Sequence, residues 1–391
     1  MEMSHFWGLT GYEYKKLLKK KMVWITLAIL CAGAVYAVLY PFFSMSVSSG
    51  GTTYTYAEIQ ENDRNTAKDF NGKKIDGSMM KELDRRDQSA DRDVPDDMRG
   101  FAISIGSNGA INYQEDRIFD FKEDIYGIRN QVLENRWGAG HLSEGEIKEL
   151  RKKNENLKTP FTYHYAAGYK NIINLADIIA IMQTLFIAIC IPLIFSEEHN
   201  RKTAQISLCT KYGKDVLFGA KIFTGVSFSV ITTIALFLCI LIPAAACYGT
   251  EGIHTQVQVF YPFLSWDLNM GEMLLVLLGL WIAAAVLQSA FVMFLAEKCR
   301  NNTVPMAVMV GILIFTSFFN IPAQHKILAQ IWAYVPVNMM RLPDAFGDMM
   351  ISAFGKYYGV WQSAPLFYLI LSATAVFAGG RIYRGFQVKE K

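Results

Sequence analysis

Ile172-Ile-Asn-Leu-Ala-Asp-Ile-Ile-Ala-Ile-Met-Gln-Thr-Leu-Phe-Ile-Ala-Ile-Cys-Ile-Pro-Leu-Ile194 is a run of 23 residues with one charged side chain, Asp177. A helix needs roughly 20 mostly apolar residues to cross the hydrocarbon core of a bilayer. Five further stretches have the same character: Met22–Phe43, Ile222–Cys247, Met273–Ala296, Thr303–Ile321 and Ser363–Gly380. The six together cover 132 of the 391 residues and hold no Lys, no Arg and no second acid. Core helices of soluble proteins rarely run so far without charge. The expected fold class is an all-α polytopic membrane protein with six transmembrane helices.

The composition agrees once it is divided. The whole chain is 52% apolar and 19% charged with a net charge of +3, less charge than soluble domains usually carry and no basic field for nucleic acid. Residues 44–171, however, hold 19 basic and 22 acidic side chains. This is a polar domain of 128 residues, long enough for a core of its own. Within it Asp84 to Asp97 reads as a solvated helix face or loop, because there is little to bury. Ile118, Phe121, Ile125, Ile128 and Val132 recur at helical spacing, and Ser143 ahead of Glu144 and Glu146 fits a helix N-cap. The expectation is a mainly helical α+β domain with extended structure near Phe101 to Ile105.

Basic residues in the short flanks orient a membrane protein, because they stay on the cytoplasmic side. Lys15, Lys16, Lys19, Lys20 and Lys21 precede the first run; Arg201, Lys202, Lys211, Lys214 and Lys221 lie between the second and third. Lys298 and Arg300 follow the fourth, and Arg381, Arg384, Lys389 and Lys391 follow the sixth. Against these 16, the alternate short loops 248–272 and 322–362 hold only Lys326, Arg341 and Lys356. Both termini are therefore expected in the cytoplasm and residues 44–171 outside. The first run exceeds a secretory h-region and lacks a small-residue cleavage site, so it reads as a retained anchor.

No chemistry-bearing motif emerges. The six cysteines show no CxxC or Cys/His spacing, and the six histidines form no ligand pair, so no metal site is expected. There is no phosphate loop, GxGxxG, HExxH or GxSxG. The chain is not expected to be an enzyme, and no catalytic residue is assigned.

Residues 195–221 carry the most specific signal. Phe195-Ser-Glu-Glu198 ends an apolar helix; Thr203, the Ile206 and Leu208 pair, Lys211-Tyr-Gly-Lys214 and finally Lys221 follow. This pattern resembles the type-2 ATP-binding-cassette (ABC) transporter permeases, in which a Glu, a Gly-Thr, an apolar run, a small basic turn and a Lys occur in that order. Lys202 stands where the family has Gly. Six spans, a domain between the first two and Tyr12-Glu-Tyr-Lys-Lys-Leu-Leu18 before the first extend the likeness over the chain, toward the subgroup common in Gram-positive bacteria.

The resemblance implies the type-2 ABC exporter fold in a bacterial plasma membrane, pairing with a second permease copy or a homologous permease and with separate ATPase subunits that hold the ATP and magnesium. Residues 195–221 would then be the coupling loop, with Glu197, Glu198, Arg201, Lys202, Thr203, Ile206, Leu208, Lys211, Lys214 and Lys221 facing the ATPase. Without the resemblance, the Glu pair also reads as a solvated helix end and the basic residues as contacts to lipid headgroups. Residues 1–21, with Trp7, Tyr14, Leu17 and Leu18, form an amphipathic elbow or a plain basic anchor.

Polar residues inside the runs are pathway candidates: Asp177, Gln183, Thr184, Gln288 and Asn320, with helix packing as the alternative role. Residues 327–340, broken at Pro336, read either as a re-entrant helical pair or as an interfacial helix. The family has an outer gate there, to which Trp332, Tyr334 and Pro336 would belong. The expected cargo is an amphipathic antimicrobial peptide, lipid or drug; sodium efflux, or sensing through the external domain, are the alternatives. A secondary transporter is disfavoured because the halves show no repeat.

Overall fold

The computed structural model describes residues 2–49, 52–88, 93–108, 124–322 and 324–385. It is 73% helical. Helix α1 (Glu2–Leu18) leads into α2 (Lys21–Ser44). A short hairpin, β1 (Ser46–Ser49) with β2 (Thr52–Thr55), opens the polar domain, which continues through α3 (Tyr56–Lys68), α4 (Gly77–Asp87), α5 (Asp96–Asn108), α6 (Ile125–Ala139) and α7 (Glu144–Glu155). The chain returns through α8 (Ala167–Asn174), α9 (Ala176–Cys190), α10 (Leu193–Asn200), α11 (Ala204–Cys209), α12 (Val216–Tyr248) and α13 (Met270–Cys299). The last part comprises α14 (Thr303–Phe318), α15 (Lys326–Ala333), α16 (Pro336–Met339), α17 (Leu342–Ala345), the hairpin β3 (Met350–Ala353) with β4 (Lys356–Gly359), and α18 (Val360–Arg384).

Among the described residues, five helical units are long and apolar enough to cross a membrane: α2, α9 with α10 (Ala176–Asn200), α12, α13 and α18. The chain is a polytopic helical membrane protein. The expected fifth span over 303–321 is observed as α14, 16 residues long, about 24 Å at 1.5 Å per residue and short of the roughly 30 Å hydrocarbon core. The cause is local. Phe319 turns extended (φ −112°, ψ 141°), and Pro322 disfavours helix at the residue before it.

In the polar domain, α5 replaces the extended structure expected at 101–105. Met98, Phe101, Ala102 and Ile105 are fully buried and fall at i, i+3, i+4 and i+7, which is a helical stripe. They pack with Phe70, Leu83, Leu133, Trp137 and Phe161 in the domain core. The stretch expected to have little to bury also departs: Val94 and Asp97 are interior, and Lys170 Nζ lies 2.6 Å from Asp97 Oδ1. Burial raises the Asp97 carboxyl above its ordinary value, with Lys170 opposing. Ser143 caps α7 in a reciprocal box with Glu146. Ile118 and Phe121 of the expected stripe lie outside the described residues.

The domain docks onto the segment between α12 and α13. Arg129 is 1% exposed; its Nε donates to the Pro262 carbonyl at 2.5 Å and its Nη2 to that of Leu264 at 3.2 Å. Burial draws this guanidinium down to about 10. A second tie runs from α7 to α15, where Lys326 pairs with Glu146, itself 2% exposed.

Candidate functional site

At the end of the bundle away from the polar domain, the connection from α10 to α12 is a hub of ion pairs. Lys221 is wholly buried. Its Nζ lies 2.8 Å from Glu198 Oε1 and donates to the Ile194 carbonyl at 3.1 Å, over the Phe195 ring. Glu198 Oε1 also pairs with Lys16 at 3.2 Å, and Lys16 with Glu13 at 2.6 Å. Burial works against the Lys16 charge, but Glu13 and Glu198 outweigh it and hold the ammonium above its ordinary value. Glu197 takes Lys20 at 2.5 Å and Arg201 at 2.8 Å. Two residues on, His199 Nε2 meets Glu297 Oε2 of α13 at 2.9 Å. On the far side of α11, Tyr383 OH donates to the Gly213 carbonyl at 3.0 Å and Arg384 pairs with Asp215 at 2.8 Å.

These bonds join one connection to α1, α12, α13 and α18. An apolar cluster beneath it, including Leu17, Ile194, Phe195, Leu208, Phe218 and Met293, makes the join solid. A cleft of about 610 Å³ between α1 and α10–α11 is lined by Lys15, Lys19, Lys20, Glu197 and Arg201 among others.

Of the expected coupling residues, Glu197, Glu198 and Lys221 thus turn inward and bond to the protein itself. Leu208 is also buried. Facing outward are Ile206, 70% exposed on α11, and the exposed Arg201, Lys202, Lys211 and Lys214. Thr203 is half-buried, and its N–H donates to the Glu198 carbonyl at 2.9 Å. Lys202 has φ +56°, the left-handed region that favours glycine. Gly213 is close-packed: a Cβ there would stand 1.9 Å from the Ser207 carbonyl oxygen.

The polar residues of the spans separate into two groups. Gln183, Thr184 and Gln288 are buried together: Gln183 Nε2 donates to the Trp281 carbonyl at 3.0 Å, and Gln288 Nε2 to Thr184 Oγ1 at 3.0 Å. Asp177 is not among them. It is largely exposed at the start of α9 and pairs with Arg341 at 3.4 Å. Asn320 is exposed past the end of α14 and lines a separate small cavity with Arg136 and Asp348.

Gln288 also reaches the wall of a cavity of about 930 Å³ bounded by α13, α14, α15–α16 and α18. Phe291, Gly311, Phe315, Trp332 and Pro336 share that wall. Segment 327–340 therefore forms two short helices, broken where Pro336 begins the second, with Trp332 and Pro336 facing this space. Tyr334 does not line it; its hydroxyl bonds to Ser363 Oγ at 2.5 Å.

Sequence reading missed Glu13 and Lys16 of α1 and Lys20 just after it as partners, and the Glu146 to Lys326 tie. No local pattern announces a pairing across 180 residues. Among the described residues no group of three or more His, Cys, Asp or Glu side chains is placed to hold a metal ion. No protein-family model, curated protein or solved structure matches this chain.

Proposed function

We propose that the chain is the membrane-spanning permease of an ATP-driven ABC exporter, with a separate ATPase docking on α11. The carrying observation is the exposed Ile206, set in a basic surround on a short helix whose flanks are bonded into four other helices. A force on α11 reaches α9–α10 and α12 together, because Glu198 and Lys221 lock their ends. From there α9 carries Thr184, about 21 Å along the helix at 1.5 Å per residue, to its bond with Gln288 at the cavity wall. A shift of α9 against α13 would change that wall. Such rigid-body displacement of packed helices is an established way to move a site from a distance. In this reading α14 is the fifth of six spans, the polar domain is extracellular, both termini are cytoplasmic, and two copies, or this chain with a homologue, assemble in a bacterial plasma membrane.

The tie from Glu146 to Lys326 favours a second reading, in which hydrolysis moves the polar domain itself through α15 rather than moving a substrate.

Cys209, exposed on α11, provides the test. A thiol-directed crosslinker applied to native membranes is expected to join the chain through Cys209 to an ATP-hydrolysing protein, and Cys209→Ser to abolish the adduct. Adducts lacking any nucleotide-binding protein would contradict the proposal.

A further inference from the structure

The cleft of about 610 Å³ between α1 and the α10–α11 connection holds charge that the ion-pair hub does not use. Tyr12, Lys15, Lys16 and Lys19 line one wall at i, i+3, i+4 and i+7, a single helical face. The Lys19 N–H donates to the Lys15 carbonyl at 3.1 Å, so the turn runs on past the end of α1. Arg201, Thr203 and Ser207 line the opposite wall. The two acids of the cleft are each taken twice, Glu197 by Lys20 and Arg201 and Glu198 by Lys16 and Lys221. Among the described residues Lys15 and Lys19 have no acid partner, and both are exposed. The Arg201 side chain, 67% exposed, has N–H groups beyond the Nη2 that meets Glu197. The unmet demand of this cleft is for an anion.

Its depth is marked by its neighbours. Two residues after Lys20, α2 begins its apolar run, and Met22, Ile25 and Ile29 are exposed at helical spacing, a stripe that meets acyl chains in a bilayer. Trp24 is exposed and donates its Nε1 to the Leu18 carbonyl at 2.7 Å; an indole with one wet edge and one apolar edge belongs at the boundary between headgroups and hydrocarbon. The cleft therefore opens at headgroup level rather than into bulk water.

We propose that this cleft binds the phosphodiester headgroup of an anionic glycerophospholipid, its phosphate oxygens accepting from Lys15, Lys19 and Arg201 and its acyl chains lying along Met22, Ile25 and Ile29. Basic pockets beside membrane spans suit such headgroups, each Lys or Arg near the surface strengthening binding a few-fold. A zwitterionic headgroup offers the same phosphate but adds an ammonium that Lys15 and Lys19 repel. A soluble phosphate lacks the acyl chains. An occupied cleft holds α1 against α11 beside the Lys16 to Glu198 pair, so the anionic content of the bilayer sets how firmly the connection is braced. The site needs a bilayer and this chain alone; it does not rest on the exporter reading.

Competition between two lipids tests this. The purified full-length chain in mild detergent is mixed with equal amounts of phosphatidylglycerol and phosphatidylcholine, and the retained lipid is counted by native mass spectrometry. Phosphatidylglycerol is expected to be retained at least about ten-fold over phosphatidylcholine. Lys15→Gln combined with Lys19→Gln should remove that preference without lowering the unfolding temperature, since both side chains are exposed. Arg201→Gln, from the opposite wall, should weaken it independently by at least about three-fold. Lys211→Gln combined with Lys214→Gln removes the same charge from the exposed turn after α11 and should leave the preference intact, which separates a site from the diffuse attraction of a basic surface. Glycerol phosphate in excess should not displace the lipid. Equal retention of the two lipids, an equal loss from the Lys211 and Lys214 variant, or displacement by glycerol phosphate would overturn the proposal, the last by making this a site for a soluble anion. No ATPase takes part, so these results leave the assignment of α11 standing, and failure of that assignment leaves the lipid site standing.

Discussion

Lys221 Nζ, without any solvent exposure, lies 2.8 Å from Glu198 Oε1 and ties the start of α12 to the end of α10. A cation there is tolerable only while its partner is present, since removing one member of a buried pair leaves a charge that costs about 3–5 kcal/mol. Glu198→Ala is accordingly expected to destabilise the fold by that amount, read as the unfolding midpoint of the purified protein. Glu198→Gln combined with Lys221→Met removes both charges and should recover most of the loss. Additive effects of the two single changes would show that the pair is not coupled.

Lys202 gives a backbone prediction. Its φ of +56° places Cβ against the following carbonyl at a cost of roughly 1–2 kcal/mol that glycine does not bear. Lys202→Gly should stabilise the chain by up to about 1 kcal/mol, and Lys202→Val, β-branched, should destabilise it by at least as much. Chemical denaturation of the three proteins side by side measures both.

Asp63 sets a pH dependence in the polar domain. Burial, then the charges of Asp97 and Asp96, raise its carboxyl from 3.8 to about 7, against a hydrogen bond from the Asp96 N–H and the charge of Lys170. The folded value lies above the unfolded one, so folding takes up a proton between them. This group's contribution is full below about pH 4 and is lost as pH rises toward 7. The unfolding temperature of the parent should fall over that interval more steeply than that of Asp63→Asn; parallel curves would remove Asp63 as the cause.

Glu146 joins two tasks that one substitution separates. It completes the α7 capping box with Ser143 and pairs with Lys326 of α15. Together with Ser143 and Lys326, it titrates below its ordinary range despite burial. Glu146→Gln preserves the box, since Gln serves at that position, but removes the charge facing Lys326. Amide exchange is expected to speed up in α15 and to stay unchanged in α7, with a loss of about 1–3 kcal/mol. Uniform exchange would mean that the tie does not hold α15.

The spans were legible because length without charge is a signal that tertiary context rarely overrides. Where reading failed, packing decided. Extended structure was expected near Phe101 to Ile105, yet Met98, Phe101, Ala102 and Ile105 had the helical spacing that burial selected. In the candidate site, the sequence marked Glu197, Glu198 and Lys221 as important but left their direction open. Which way they face depends on Lys16 of α1 and Lys20 in the turn before α2, from about 180 positions away. Gln183, Thr184 and Gln288 were marked as polar residues in apolar runs, and only the packing of α9 on α13 showed that they meet.

Because Glu198 holds the fold together, an exposed neighbour is the cleaner probe of coupling. Ile206 contributes little to the core, so Ile206→Glu should leave the unfolding temperature within about 0.5 kcal/mol of stability of the parent. The decisive measurement is the ATP hydrolysis that accompanies the chain when it is purified from its native membrane. We expect that activity to be present with the parent and lost with Ile206→Glu at equal yield and equal stability. ATP hydrolysis that co-purifies undiminished with Ile206→Glu, or none at all with the parent, would contradict the assignment of α11 as the point where an ATPase drives this permease.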